Sequence, residues 1–365
     1  MIDTRVDFMG QDGAEGEVAS YVQAQQRLDP GFLRPYVNTK DGKTYVTIYK
    51  GGDPKKADSY KQLSVNQTGT LRRDEWKLLD EAIIGIAEHR LQGTSDLISR
   101  GLVYNLGNAM GTTVLETHDV SDALDAELTM DGVTRAQGDR PTFGTHYLPI
   151  PIIHADYEIN ARALAASRNL GNPLDTIMAE RAARKVAEKL EKMLFTDKTY
   201  QWGGGKINSL VNYPNRNQMA IGTNWTDLED DSNGSVGEKI VRQMLRVKQT
   251  SIDNHFYGPW VVYIPTNYET LLDEDYNSFK NNTIRQRILD IAGINGIIVV
   301  DTLAANNILM VQTTTDVIRI VRGMGLQTVQ WGTEGNFITK YKVLTIQVPQ
   351  IRSDQTGKTG IVHVA

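Results

Sequence analysis

Asn172-Pro-Leu-Asp-Thr-Ile-Met-Ala-Glu-Arg-Ala-Ala-Arg-Lys-Val-Ala-Glu-Lys-Leu-Glu-Lys-Met-Leu-Phe195 is the stretch from which the rest of the chain is read. Asn172 suits the cap of a helix, where its side chain accepts from the first free amides, and Pro173 suits the first helical position. Asp175 adds negative charge to the first turn, where the helix dipole favours it. Leu174, Ile177, Met178, Val186, Leu190 and Leu194, with Ala182 and Ala183 between them, keep the three-and-four spacing of one helix face. Glu180, Arg184, Glu188 and Lys192 form the opposite face as i,i+4 neighbours of alternating sign. At about 1.5 Å per residue the helix is roughly 35 Å long. Burying each large apolar group stabilises by roughly 1.5–3 kcal/mol, so a sheet or another layer is expected along its whole length.

Around this helix lie 365 residues, enough for two or three compact units. Hydrophobic residues make up 40% and charged residues 23%, the balance of an ordinary folded protein. The net charge of -5 implies no general affinity for nucleic acid or an anionic membrane. The absence of cysteine removes disulfides, thiol nucleophiles and thiolate metal sites. No apolar run approaches 18 residues and Met1–Phe8 does not read as a signal peptide, so a cytosolic, soluble protein is expected.

Residues 1–69 are rich in Gly, Asp, Lys and Gln, and only Thr44–Tyr49 alternates like a strand. They read as an arm ordered by partners rather than by a core of its own. Residues 70–90 predict an amphipathic helix with Trp76, Leu79, Ile83 and Ile86 on one face and Gly93 as its stop. Residues 112–147 predict a long polar hairpin turning at Asp131-Gly132. A hairpin of this length with no core is most simply an arm lying on a neighbour. Leu148–Ile159 reads as one strand, residues 161–168 lead into the long helix, and residues 200–233 read as irregular. From Ser235 a second mixed unit is expected. Ile240, Met244 and Val247 mark a helix in it, further helices fall at 267–272 and 284–292, and its strands fall at 260–264, 297–301, 308–312, 317–321 and 343–348.

Leu148-Pro-Ile-Pro-Ile-Ile-His-Ala-Asp-Tyr-Glu-Ile159, then Arg162, Ala165-Ala-Ser-Arg168, Pro173-Leu-Asp175 and 180–188, resemble the major capsid proteins of tailed bacteriophages and their relatives the encapsulins. Val261-Val-Tyr-Ile-Pro265 followed by Asn267-Tyr-Glu269 is similar too, as is the order of parts from residue 70 onward. The resemblance implies an α+β chain with the Hong Kong 97-type capsid fold. By it, residues 1–69 are an N-terminal arm, 70–111 an N-terminal helix region and 112–147 the extended loop. Residues 148–234 and 336–365 are the peripheral domain with its spine helix at 172–195, and 235–335 are the axial domain. It further implies pentamers and hexamers of this chain, a separate scaffolding protein, a portal and a cementing or decoration protein.

Gly203-Gly-Gly205-Lys206 lacks the spacing and the hydroxyl of a phosphate loop and reads as a turn. Glu229, Asp231 and Asn233 before Gly234 partly fit a calcium loop, but Ile240 stands where a bidentate Glu is needed, so a solvated acidic loop is expected. His89, His118, His146, His154, His255 and His363 are scattered, with no pair at metal-binding spacing. Ile150, Ile152 and Ile153 are expected in a sheet core rather than a ligand pocket. No nucleophile elbow occurs, which weighs against a soluble α/β hydrolase. No catalytic residue, cofactor or metal is expected.

The expected function is therefore structural: a capsid subunit, located in the virion and assembled in the host cytoplasm, enclosing DNA without reading its sequence and without a membrane. An encapsulin-type compartment is the alternative. Some members of this fold weld neighbours through a Lys–Asn bond with the lysine on the extended loop; here no lysine occurs between Lys77 and Lys185. Residues 112–147 carry seven acids (Glu116, Asp119, Asp122, Asp125, Glu127, Asp131, Asp139) and two bases, net -5. Residues 34–73 carry nine bases and three acids, net +6. The candidate assembly residues are Asp122, Asp125, Glu127, Asp131 and Gly132 on the loop and Lys50, Lys55 and Lys56 on the arm.

Overall fold

The computed structural model describes residues 33–39, 41–51, 53, 55–65, 71–90, 92–107, 110–120, 130, 143–169, 176–196, 199–232, 234–277, 280–334, 337–354 and 356–365. They belong to two compact units. One draws on Met1–Ala82, Asp156–Ala179 and Gln327–Val343, the other on Ile83–Ala155, Glu180–Leu326 and Leu344–Ala365.

The first unit contains a small antiparallel sheet in the order Tyr36–Val37, Thr44–Tyr49, Tyr60–Ser64. Thr44–Tyr49 has the bounds expected from its alternation. Residues 34–65 nevertheless depart from a coreless arm, because Val46 and Leu63 are buried together with Ile48 and Val65 against them. The helix Arg73–Arg90 turns Trp76 and Leu79 inward, and Glu75 accepts from the Arg72 amide at its start. Trp76 meets Tyr341 edge-on at 5.9 Å between ring centroids, and Tyr157 stacks on Tyr341 at 5.4 Å. Two guanidinium–carboxylate pairs tie the unit together: Arg168 donates as a fork from Nε and Nη2 to Glu75 at 2.8 and 2.7 Å, and Arg34 donates from Nη2 to both Asp80 oxygens at 2.8 and 2.7 Å.

The second unit is built on a five-stranded sheet in the order Asn217–Met219, Ile361–Val364, Ile308–Gln312, Trp260–Pro265, Ile294–Val300. Every residue of the Trp260–Pro265 strand is buried, because alternate side chains enter different cores. Trp260, Val262 and Ile264 join Ile240, Met244 and Val247 of the helix Val236–Asp253. Val261 and Tyr263 join Leu97, Leu194 and Phe195 on the other face. Ser235 caps the Val236–Asp253 helix, its hydroxyl accepting from the Glu238 amide. A further four-stranded sheet runs in the order Val103–Asn105, Ile318–Glu334, Ile338–Ile351, Ile153–Asn160.

The long helix spans Ile177–Phe195; its expected start at Asn172, Pro173 and Asp175 lies outside the described residues. Ala182, Ala183, Val186, Leu190 and Leu194 are buried as their spacing predicts. Ile177 and Met178 are not, at 53% and 46% exposure.

Other expectations are corrected. Gly93 does not stop a helix; it lies inside a second one, Gln92–Ser99. Leu148–Ile159 is two strands, Phe143–Pro149 and Ile153–Asn160, parted around Pro149 and Pro151, which lack ladder donors. Residues 267–272 form two short 3-10 turns, Thr266–Tyr268 and Leu271–Asp273, each burying one side chain. The strands expected at 317–321 and 343–348 extend to Ile318–Glu334 and Ile338–Ile351.

Candidate assembly surfaces

The polar hairpin is present at its root. Val114–Val120 pairs with Phe143–Pro149 in antiparallel register from Val114↔Pro149 to Val120↔Phe143. Glu116, His118, Thr145, His146 and Tyr147 are exposed on this ribbon. A two-stranded ribbon with solvent on its sides is marginal alone, and its support here comes from a second, tiny hairpin. Tyr200–Trp202 and Gly205–Ile207 turn through Gly203 and Gly204, both at positive φ (57° and 78°), so the glycine run is a tight turn. Gly205 lies so close to the Tyr147 carbonyl that no side chain would fit.

Asp122, Asp125, Glu127, Asp131 and Gly132 lie outside the described residues. Met130, between them in sequence, is fully exposed. Lys50, Lys55 and Lys56 are all exposed and share one loop, between the strands Thr44–Tyr49 and Tyr60–Ser64. That loop is shaped from within: Asp53 accepts from the Lys55 amide at 3.0 Å, and the Lys50 amide donates to the Ser59 carbonyl at 2.8 Å. The three lysines are thus presented together on an ordered turn.

The sequence reading missed a buried carboxylate. Glu191 is 4% exposed, on the inner side of the long helix beside Leu190 and Leu194. It accepts from the Gly93 amide (2.7 Å), the Thr94 amide (3.3 Å) and the Thr94 hydroxyl (3.0 Å), satisfying the free donors at the start of Gln92–Ser99. Burial pushes its carboxyl above the usual range, and these donors only partly offset that. From the same short helix, Asp96 pairs with Arg100 at 2.9 Å and accepts from the Tyr263 hydroxyl at 3.1 Å. Short helix, long helix and central strand are locked by one polar cluster. The signal was an acid interrupting the apolar arc of the long helix.

The acidic loop before the Val236–Asp253 helix has a structural role. Asp231 pairs with Lys239 at 2.9 Å, Lys239 also donates to the Glu229 carbonyl, and Asp230 accepts from the Val236 amide, so the acidic loop braces a helix start. Among the described residues no group of three or more His, Asp or Glu is arranged to hold a metal, and no helix is long and apolar enough to cross a membrane. Ile150 and Ile153 are buried, whereas Ile152 is 44% exposed; with Ile153 it lines a groove of about 860 Å3 that runs against Lys189 and Lys192 of the long helix.

Solved chains of similar architecture include capsids and a virus-like particle. The chain is similar to a virus-like particle from Pyrococcus furiosus, at 16% identity and a TM-score of 0.56 over 80% of this chain and 99% of that one. It is also similar to the capsid of Myoviridae phage XM1, at 12% identity and a TM-score of 0.54 over 73% and 90% of the two chains. The capsid of a native GTA particle matches at 12% identity and a TM-score of 0.50 over 83% and 94%. The architecture is thus the Hong Kong 97-type capsid fold, an α+β fold. The chain belongs to a family of unknown function, DUF6260, whose model matches residues 66–364. No curated protein matches it.

Proposed function

We propose that the chain is a major capsid protein that assembles with copies of itself into the icosahedral head of a tailed double-stranded DNA bacteriophage, without enzymatic turnover. The observation that carries this is coverage: the fold extends over nine-tenths or more of whole shell chains rather than over one shared domain. The exposed two-stranded hairpin supports it, since a ribbon without a core needs a neighbour to lie on. The subunits form pentamers and hexamers, a scaffolding protein guides assembly, a portal occupies one vertex, and a cementing or decoration protein adds stability. The shell lies in the virion after assembly in the host cytoplasm. Similarity to the Pyrococcus furiosus particle favours a second reading, an encapsulin-type compartment; the packaged content, DNA or protein, separates the two. Sedimentation and light scattering test both: capsomers and shells are expected, and a stable 40.7 kDa monomer at high concentration would overturn them.

Within that reading, the acidic extended loop docks on the basic turn of a neighbouring subunit. Asp122, Asp125, Glu127 and Asp131 meet Lys50, Lys55 and Lys56, with Gly132 completing the turn. Each exposed pair is worth only about 0–1 kcal/mol, but many copies per shell make assembly sensitive to salt, because screening acts within roughly 10 Å at 0.1 M. Asp122→Lys, Asp125→Lys and Glu127→Lys together should impair assembly, and Lys50→Glu, Lys55→Glu and Lys56→Glu should partly restore it. Unimpaired assembly of the triple lysine variant at low salt would refute the docking while leaving the shell reading intact.

A further inference from the structure

The outer face of the long helix carries a charge pattern that the assembly reading does not use. Arg181, Lys185 and Lys189 stand at successive i,i+4 positions, Lys192 follows three residues later, and all four are exposed. Each step of four advances about 6 Å along the axis, close to the separation of neighbouring phosphates on a nucleic-acid strand. With Arg184, the helix exposes five cations against Glu180 and Glu188 outside the core, a local excess of +3 in a chain whose net charge is -5. Glu188 is already engaged by Arg184 at 2.9 Å and Lys185 at 3.0 Å. Arg181, Lys189 and Lys192 make no ion pair among the described residues. The row ends at the groove, where Lys189 and Lys192 line one wall with Ile152, His154 and Tyr200, and where Asp301 is the one acid among the described lining residues.

We propose that this helix face and the adjoining groove bind the sugar–phosphate backbone of duplex nucleic acid, without base recognition. Alternating signs at Glu180, Arg184, Glu188 and Lys192 hide the row in the sequence, because Arg181, Lys185 and Lys189 belong to the neighbouring i,i+4 line and only Lys192 is shared. A rigid helix presents the cations in a straight row of about 16 Å, which suits a linear polyanion. Local fields of this kind act independently of net charge, and phosphate neutralisation by Lys and Arg supplies sequence-independent affinity. The proposal rests on the shell reading: it assigns the surface that contacts the enclosed DNA.

The test uses purified full-length capsomers and a 30-base-pair duplex of arbitrary sequence, followed by fluorescence anisotropy across a salt series. The compared variants are Arg181→Gln/Lys189→Gln/Lys192→Gln, and, as a control of equal charge change at exposed cations away from both proposed surfaces, Lys43→Gln/Lys77→Gln/Arg246→Gln. Glutamine is a good helix former and the three helix positions are exposed, so circular dichroism should be unchanged. The helix variant should bind at least about tenfold more weakly at 50 mM salt, and its log K against log salt slope should fall by about 2–3, near 0.9 per lost phosphate contact. The control should match the parent in both. Equal binding by helix variant and parent would overturn the proposal, as would an equal loss in the control. A helix variant that binds DNA like the parent but no longer assembles would also overturn it, giving the face to a second copy's acidic loop. Assembly is scored on the same samples. Parent capsomers that bind no duplex refute only this proposal; a parent that forms no shells refutes the shell reading, while the slope comparison on the unassembled chain still decides this one.

Discussion

Replacing Gly93 with alanine should destabilise the folded chain by about 3 kcal/mol, although alanine is the better helix former. A Cβ at position 93 would fall 2.5 Å from Phe195 Cζ and 3.0 Å from Glu191 Oε1, and closer still to Phe195 Cε2. Phe195 is 1% exposed and packs on Tyr263 at 5.1 Å between centroids, so the ring has no space to retreat into. Overpacking of this kind costs roughly 1–3 kcal/mol. Displacing Glu191 from the Gly93 amide leaves a buried donor unpaired, a further roughly 1–3 kcal/mol. Helix propensity returns at most about 1 kcal/mol. Gly85 supplies the internal control: it lies in the helix Arg73–Arg90 with nothing near its missing Cβ, so Gly85→Ala should stabilise by about 0.5–1 kcal/mol. Urea unfolding of dissociated subunits measures both. A Gly93→Ala variant within 0.5 kcal/mol of the parent would refute the reasoning about this junction.

Glu191 should make stability fall as pH rises. Its folded pKa lies above the unfolded value, so the folded state holds the proton longer and stability declines between the ordinary Glu range and the folded pKa. Glu191→Gln should flatten that part of the urea midpoint–pH profile. Glu75 should do the opposite. Burial alone would raise its carboxyl, but the Arg168 fork and the Arg72 amide hold it below the usual range. Its stabilising contribution is therefore complete above the unfolded pKa and lost as pH falls through the folded one; Arg168→Met should weaken the fold by about 1–3 kcal/mol at pH 7 and reduce its acid sensitivity. Mature shells should dissociate in hot detergent to single 40.7 kDa chains, since no lysine lies between Lys77 and Lys185 to form a loop crosslink. A ladder of covalent oligomers on a denaturing gel would contradict this.

Much of the fold was legible because it rests on periodicity. Thr44–Tyr49 and Ile308–Gln312 occupy the residues their composition predicts, and the long helix buries Val186, Leu190 and Leu194 and pairs Arg184 with Glu188 as its spacing requires. What escaped depends on contacts distant in sequence. Gly93 looks like a stop until Phe195, more than a hundred residues later, is placed against it. Glu191 looks like one more helix charge until the Gly93 and Thr94 amides are seen to need an acceptor. Ile318–Glu334 and Ile338–Ile351 outrun their apolar signals because ladder hydrogen bonds extend them through polar residues such as Gln327, Gln330, Lys340 and Lys342. The candidate assembly residues stand out in the sequence only as charge. Lys50, Lys55 and Lys56 do share one exposed turn, but no periodicity marks a surface meant for a second chain.

The most direct measurement is electron microscopy of particles formed by the purified full-length chain. Closed icosahedral shells are expected, in which each extended loop crosses onto a neighbouring subunit. A preparation that remains globular 40.7 kDa monomers at high concentration, with no shells under any assembly condition and none in producing cells, would contradict this.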